Sequence, residues 1–243
     1  MSELVLGFKS PFLGVKFILA HKELKRLAVI PLLIAIVVFF LILYAALFMV
    51  MPLIMASLLT GATGFWATIV YYGSYALASI VVFILSGFLT FAISMIISSP
   101  FNALLAERAL VIFGALPKDR VNSNWFSHSV RMLGVSVIRS GIVLTFTGIM
   151  FFLGMIPGLG LIAVFSSLFI YATDCADYSL ETLGMSLKGR FHSYSSHFLG
   201  FSGFAMALGL TFLVPGLSFL IMPAAVVGGA HFVKELKARS SAK

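Results

Sequence analysis

The sequence predicts an all-α integral membrane protein: two long transmembrane helices, two re-entrant helical hairpins that penetrate partway, and interfacial amphipathic helices. Three observations predict it. Of 243 residues, 61% are apolar and only 10% charged. Leu27 to Ala106, Ser140 to Thr173 and Phe191 to Val233 contain no Asp, Glu, Lys or Arg, and together they cover 157 positions. A soluble globule needs charged surface all round, whereas an uncharged apolar run of about 18 or more residues reads as membrane-embedded. Finally, Pro-Gly motifs cut the second and third stretches into short arms, while the first stretch divides into two long ones.

The whole chain, 1–243, reads as a single membrane domain. Residues 1–26 predict an interfacial helix starting at Ser10-Pro11, a capping serine followed by a proline suited to a first turn. Phe12, Val15, Phe17, Ile18 and Leu19 supply its apolar surface, and Lys9, Lys16 and Lys22 reach towards headgroups. The competing reading is a poorly ordered basic tail. Residues 27–99 predict two spanning helices either side of Gly61-Ala62-Thr63-Gly64. At 33 and 35 residues each would be ~50 Å long, against a hydrocarbon core of ~30 Å. Pro31 falls in the first turn of the earlier helix, and Pro52 is placed to kink it. Trp66, Tyr71 and Tyr72 fit an aromatic belt beyond the turn.

Residues 100–139 predict surface-lying helices, Asn102 to Leu116 and Trp125 to Ile138, with a turn at Pro117-Lys118-Asp119. The first hairpin occupies 140–173, broken by Pro157-Gly158-Leu159-Gly160 into arms of 17 and 13 residues. The second occupies 198–233, broken by Pro215-Gly216-Leu217-Ser218 into arms of 17 and 15. Such arms give ~20 to 25 Å of helix, short of a full crossing. Irregular backbone at membrane depth survives only against protein or water, so the tips are expected to be buried or to line a path. That makes Pro157, Gly158, Gly160, Pro215, Gly216 and Ser218 candidate path residues. Four short spans are the competing reading. Residues 174–197 are expected to form a cytoplasmic segment and 234–243 a basic tail. Every basic residue falls in 1–26, 107–139, 174–190 or 234–243, which predicts cytoplasmic termini.

The net charge of +8 flanks membrane segments, so topology accounts for it and no nucleic-acid partner is expected. The single cysteine, Cys175, excludes an internal disulfide. No removable signal peptide is expected. Catalytic constellations are nearly absent, and no enzyme activity, cofactor or metal is predicted. His192 and His197 are five apart and read as neutral loop histidines. Asp174, Asp177 and Glu181 share a helical face, read as an acidic cluster paired with Lys188 or Arg190 in preference to a cation site. No acid or amine falls inside the predicted spans, which favours passive, channel-like passage over an embedded proton relay.

Two features suit an anion. Lys25-Arg26 stands at the start of the first long helix, where free backbone N–H groups and a guanidinium can grip an oxyanion. Contact with lipid phosphate is the competing account. The return arm of each hairpin also turns an N–H-rich helix end towards mid-membrane. Ser218 is placed to cap one of them.

These residues carry a resemblance. The chain resembles the CysZ family of bacterial sulfate permeases through Lys25-Arg26 ahead of Pro31 and Ser99-Pro100-Phe101-Asn102-Ala103-Leu104-Leu105-Ala106-Glu107. It does so again through Ile156 to Gly160, Asp177-Tyr178, Pro215, and Ile221-Met222-Pro223-Ala224-Ala225-Val226-Val227-Gly228-Gly229-Ala230. The resemblance implies an oligomeric bacterial inner-membrane protein that brings in sulfate for cysteine synthesis without hydrolysing ATP, in contact with membrane lipid. The family's sulfate motif resembles Gly-Leu-Arg-Arg, which places sulfate at Glu23, Leu24, Lys25 and Arg26 here. Glu23 stands where the motif has glycine, and Lys25 where it has arginine. Arg26 and Lys25 are the expected side-chain ligands, and Leu24 offers a backbone N–H only. The second functional hypothesis is a non-transporting scaffold or regulatory membrane protein.

Overall fold

A computed structural model describes residues 2–58, 64–117, 141, 145–213 and 217–240. The described residues build nine α-helices: α1 Glu3–Ala20, α2 Lys22–Ala45, α3 Met51–Leu58, α4 Phe65–Ile112, α5 Thr145–Gly154, α6 Gly160–Thr182, α7 Leu187–Ser196, α8 Phe198–Phe212 and α9 Leu217–Ser240. They fall into two compact units, Leu33–Ile96 and the remainder.

The unit Leu33–Ile96 holds most of α2, α3 and the first part of α4. Between α2 and α3 the backbone widens into a π-helical turn, Ala46–Val50. Pro52 explains it: without an N–H, and with a ring that crowds the carbonyl four residues back, proline disturbs the α register there. The π-turn ends at Val50, with Met51 between it and Pro52. The core of this unit is small, Met51 and Val82 with Ala46, Leu47, Ile54 and Ala78 around them. The Phe39 and Phe83 rings meet edge to face at 6.0 Å. Most other large apolar side chains, among them Phe40, Leu41, Leu53 and Leu77, point outward.

In the other unit, α1 lies against α8 and α9, and α6 against both. Helix α1 begins at Glu3, capped by Ser2, whose hydroxyl accepts from the Val5 N–H at 3.4 Å. Ser10-Pro11 is therefore inside the helix and not its start. The Ser10 hydroxyl is drawn back to donate to the Leu6 carbonyl at 2.8 Å, and Pro11 is buried. Small residues let α1 approach its neighbours backbone to backbone. A Cβ on Gly7 would overlap the Gly200 carbonyl oxygen, and one on Gly14 the Ala224 carbonyl oxygen. Close small-residue contacts of this kind are how apolar helices associate without a hydrophobic driving force between them. A second core gathers Leu24, Leu105, Leu110, Tyr178, Val226 and Val227 from α2, α4, α6 and α9.

Three differences from the sequence expectations concern helix ends. Helix α4 runs unbroken for 48 residues with Pro100 inside it, so the expected spanning helix and the helix from Asn102 are one. Proline costs that helix a hydrogen bond, worth ~3 kcal/mol, and the burial of Ala103, Leu105, Ala106, Ala109 and Leu110 just beyond offsets it. Helix α2 starts at Lys22, so Pro31 lies in its third turn and not its first. And the 13-residue arm after Gly160 is the first part of a 23-residue helix that continues past the charge boundary to Thr182.

Among the described residues three helical segments are long and apolar enough to cross a membrane: Lys22–Ile54, Phe65–Thr90 and Gly160–Thr182. Thr145–Gly154 and Phe198–Phe212 are shorter apolar helices. The expected surface helix 125–138 and the tip residues Pro215 and Gly216 lie outside the described residues.

Candidate functional site

The first turn of α2 owes its geometry to a break at His21. That residue is extended, φ −118° and ψ 115°, and its own N–H still closes α1 onto the Phe17 and Ile18 carbonyls. Its carbonyl then accepts the first bond of α2, from the Lys25 N–H at 3.1 Å. The N–H groups of Lys22, Glu23 and Leu24 precede that bond, so they are the donors a helix start leaves without an intrahelical partner. Leu24 is fully buried against Leu105, Tyr178 and Val226 and fixes the rotation of the turn. With one face nailed to the core, Glu23, Lys25 and Arg26 stand exposed around the rest. Among the described residues none of these three charges has an ion pair. The turn therefore presents the Lys22 and Lys25 ammonium groups and the Arg26 guanidinium outward with the Glu23 carboxylate beside them, while the N–H of the fully buried Leu24 is closed off from any ion.

The remaining sequence candidates are placed differently. Residues 155–159 form the turn between α5 and α6, with Gly158 at φ +90°. Pro157 and Gly158 are exposed, Gly160 is half-buried, and Met155 is 70% exposed. Of the two expected settings, burial or a path lining, the exposed tip does not show burial within the chain, and at membrane depth its irregular backbone would need water or another protein molecule against it. Ser218 lies in the first turn of α9.

The acidic face of α6 does find its cation. Arg190 of α7 donates to Asp177 at 3.0 Å and to Glu181 at 3.4 Å, and the Tyr194 hydroxyl donates a short bond to Asp177. The reading of an ion-paired cluster holds, with Arg190 as the partner. Asp174 is buried on the same helix, which brings a carboxyl onto a segment of span length, contrary to the charge-free spans expected. Cys175 is completely buried. His192 sits exposed on α7, its Nε2 3.3 Å from the Ser196 hydroxyl, and His197 lies between α7 and α8, its Nδ1 3.2 Å from a Glu3 carboxylate oxygen.

One polar feature escaped the sequence reading. Ser98, Ser99 and Asn102 are buried along α4, and the Tyr178 hydroxyl donates to Ser99 Oγ at 3.4 Å. The Asn102 Nδ2 is buried with no hydrogen-bond partner among the described residues. Tyr178 shares a core with Leu24, so this neutral polar row lies in the same packed region that orients the basic doublet. The S-P-F-N string was visible, but its burial against Tyr178 was not.

A family model described as "Sulfate transporter CysZ/Etoposide-induced protein 2.4" matches residues 10–223. The chain belongs to this family. The match takes in the α1–α2 break, the basic doublet, the polar row of α4 and the acidic face of α6. No curated protein matches the chain. A membrane protein of the CysZ family is thus what the apolar helices and the family match jointly establish.

Proposed function

We propose that this protein carries sulfate across a bacterial inner membrane to supply cysteine synthesis, by passive or channel-like passage and as a homo-oligomer. The observation that carries the reading is the exposed Lys25-Arg26 pair on a turn whose rotation Leu24 fixes, in a chain whose family is named for sulfate transport. Arg26 supplies a planar fork that matches two oxyanion oxygens, and Lys25 a single ammonium. The orphan N–H groups of Lys22 and Glu23 add partial positive charge at the same end, whereas Leu24, fully buried, offers no N–H for contact. Glu23 opposes the anion and weakens capture relative to a glycine. From the doublet, sulfate passes along a path completed between subunits beside the hairpin tips, with the termini on the cytoplasmic side.

Passive passage is the simplest reading because Asp177 and Glu181 are engaged by Arg190. Among the described residues the other buried carboxyls are Asp174 and Glu107, and Asp174, on the span-length α6, is the one to test for proton coupling. Purified protein in liposomes is expected to take up tracer sulfate down its gradient. Arg26→Ala abolishes that uptake, and unchanged uptake removes the doublet from the mechanism. Asp174→Asn leaves uptake and its indifference to a pH gradient intact; a loss confined to gradient-driven uptake would make the protein a proton-coupled carrier. Glu23 favours one alternative, a non-transporting scaffold, which predicts stable oligomers with no calorimetric sulfate binding and no flux.

A further inference from the structure

Helix α7, Leu187–Ser196, has an outer face that the transport reading does not use. Its inner face is committed: Arg190 reaches Asp177 and Glu181, its Nε donates to the Met185 carbonyl at 3.0 Å, and the Tyr194 ring meets Phe201 edge to face at 5.2 Å. At 100° per residue, Leu187 and Phe191 fall together just beside Tyr194 and Arg190, Phe191 meeting the Tyr194 ring edge to face at 5.9 Å, and Lys188 and His192 follow along the edge away from that packed face. Leu187 is 69% and Phe191 71% exposed, and Lys188 and His192 are exposed beside them. Phe198 and Leu199, at the start of α8, are also half or more exposed.

The connections restrict what can cover this strip. Four residues, 183–186, join α7 to α6, a helix of span length, and His197 alone joins it to the apolar α8. Four residues reach ~14 Å at most. Headgroup regions add ~5 to 8 Å to each side of the hydrocarbon. The span-length α6 therefore holds the start of α7 within reach of the headgroups, and the apolar α8 follows its other end after a single residue. The nearby carboxylates of Asp177 and Glu181 are turned inward onto Arg190, so the outward charge is that of Lys188, with His192 next to it.

From this we infer that α7 is an in-plane membrane anchor, seating Leu187 and Phe191 in the acyl boundary and setting Lys188 against acidic lipid headgroups. An apolar strip edged by a basic residue, on a short helix of low overall hydrophobicity, is what such anchoring requires. The Arg190 cluster acts as the hinge pin that keeps the strip facing the lipid. This inference stands on the membrane character of the chain and not on what it transports.

The test uses the chain's lone cysteine. In full-length protein carrying Cys175→Ala, a spin label is placed at Phe191→Cys or at Ser196→Cys on the opposite side of α7, in vesicles of phosphatidylcholine with or without phosphatidylglycerol. At 191, collisions with oxygen are expected to exceed those with a water-soluble nickel chelate several-fold, and at 196 the order reverses. Adding Lys188→Glu makes the 191 label shallower in the phosphatidylglycerol vesicles and leaves it unchanged in phosphatidylcholine alone. Equal nickel access at 191 and 196 overturns the anchor. A 191 label shielded from both reagents overturns it too, because a second copy or another protein then covers the strip. Should Cys175→Ala not fold, Phe191→Trp in the native background reports the same depth: quenching by brominated phosphatidylcholine above that of the unmodified protein supports the anchor, and quenching equal to it refutes it. Both readouts are indifferent to sulfate flux.

Discussion

The unit Leu33–Ile96, which contains no Asp, Glu, Lys or Arg, and the rest of the chain, which carries all of them, bury their apolar side chains differently. The first has a core centred on Met51 and Val82 and turns most of its large side chains outward. The second brings α1 onto α8 and α9 so closely that Gly7 and Gly14 have no room for a Cβ, and fully buries Phe201, Phe204 and Phe232. In water both would collapse. In lipid, an outward Leu loses nothing, and helices stay together only where their shapes let many atoms touch. Apolar content therefore says that a segment enters the membrane, while glycine placement says which helices are fastened to which.

The largest effect expected from that contrast is steric. Gly14→Leu pushes side chain into the Ala224 carbonyl with backbone on both sides, so nothing flexible can yield. Loss of more than ~4 kcal/mol is expected, enough to remove the folded protein. Gly73, in the middle of α4's outward-facing stretch, has nothing within 4 Å of a Cβ. Gly73→Leu is expected to be neutral or to stabilise by up to ~1 kcal/mol through helix propensity. Monodisperse yield and melting temperature in one detergent decide it: similar behaviour of the two variants would erase the distinction between the units.

A smaller effect belongs to the α6–α7 cluster. Arg190→Met keeps much of the side-chain volume but leaves Asp177 and Glu181 facing each other without their cation. Hydrogen bonds to charged groups contribute ~1.5–3 kcal/mol each where poorly solvated, and the Arg190 side chain is only 13% exposed. A loss of about 2 kcal/mol is expected, read as a lower melting temperature, with Asp177→Asn in the same background recovering part of it. No recovery would mean that the arginine acts by packing alone.

How much of this was legible in the sequence depended on whether the relevant partner was local. The helical class and the first two apolar helices follow from uncharged length, a property of the chain itself. The doublet's place at the start of a helix was also visible, although that start lies at Lys22 and not Leu27, because charges at a helix end can reach the membrane surface and do not end the helix. Gly160–Thr182 was read short for a related reason: Asp174, Asp177 and Glu181 looked like the edge of the membrane, and the arginine that lets two of them stay on the helix lies 13 and 9 residues away. The contact of His197 with Glu3, 194 residues apart, and the burial of Asn102 had no local signature at all. Gly7, Ser10 and Gly14 do form a small-residue stripe in sequence. What the stripe meets only the fold can say, and an interfacial helix carries the same residues equally well.

The smallest prediction returns to the loosely built unit. Phe39 and Phe83 meet at 6.0 Å with their planes nearly perpendicular, an arrangement worth ~0.5–1.5 kcal/mol beyond area burial. Phe39→Leu should therefore cost about 1 kcal/mol, Phe83→Leu a similar amount, and the double variant clearly less than the sum, since either change alone already removes the pair. The same substitution at Phe40, whose ring is 62% exposed, is expected to change stability by less than about 0.5 kcal/mol. A cycle that proves additive would mean that the two rings behave as lipid-facing side chains, and that Met51 and Val82 alone hold this unit together.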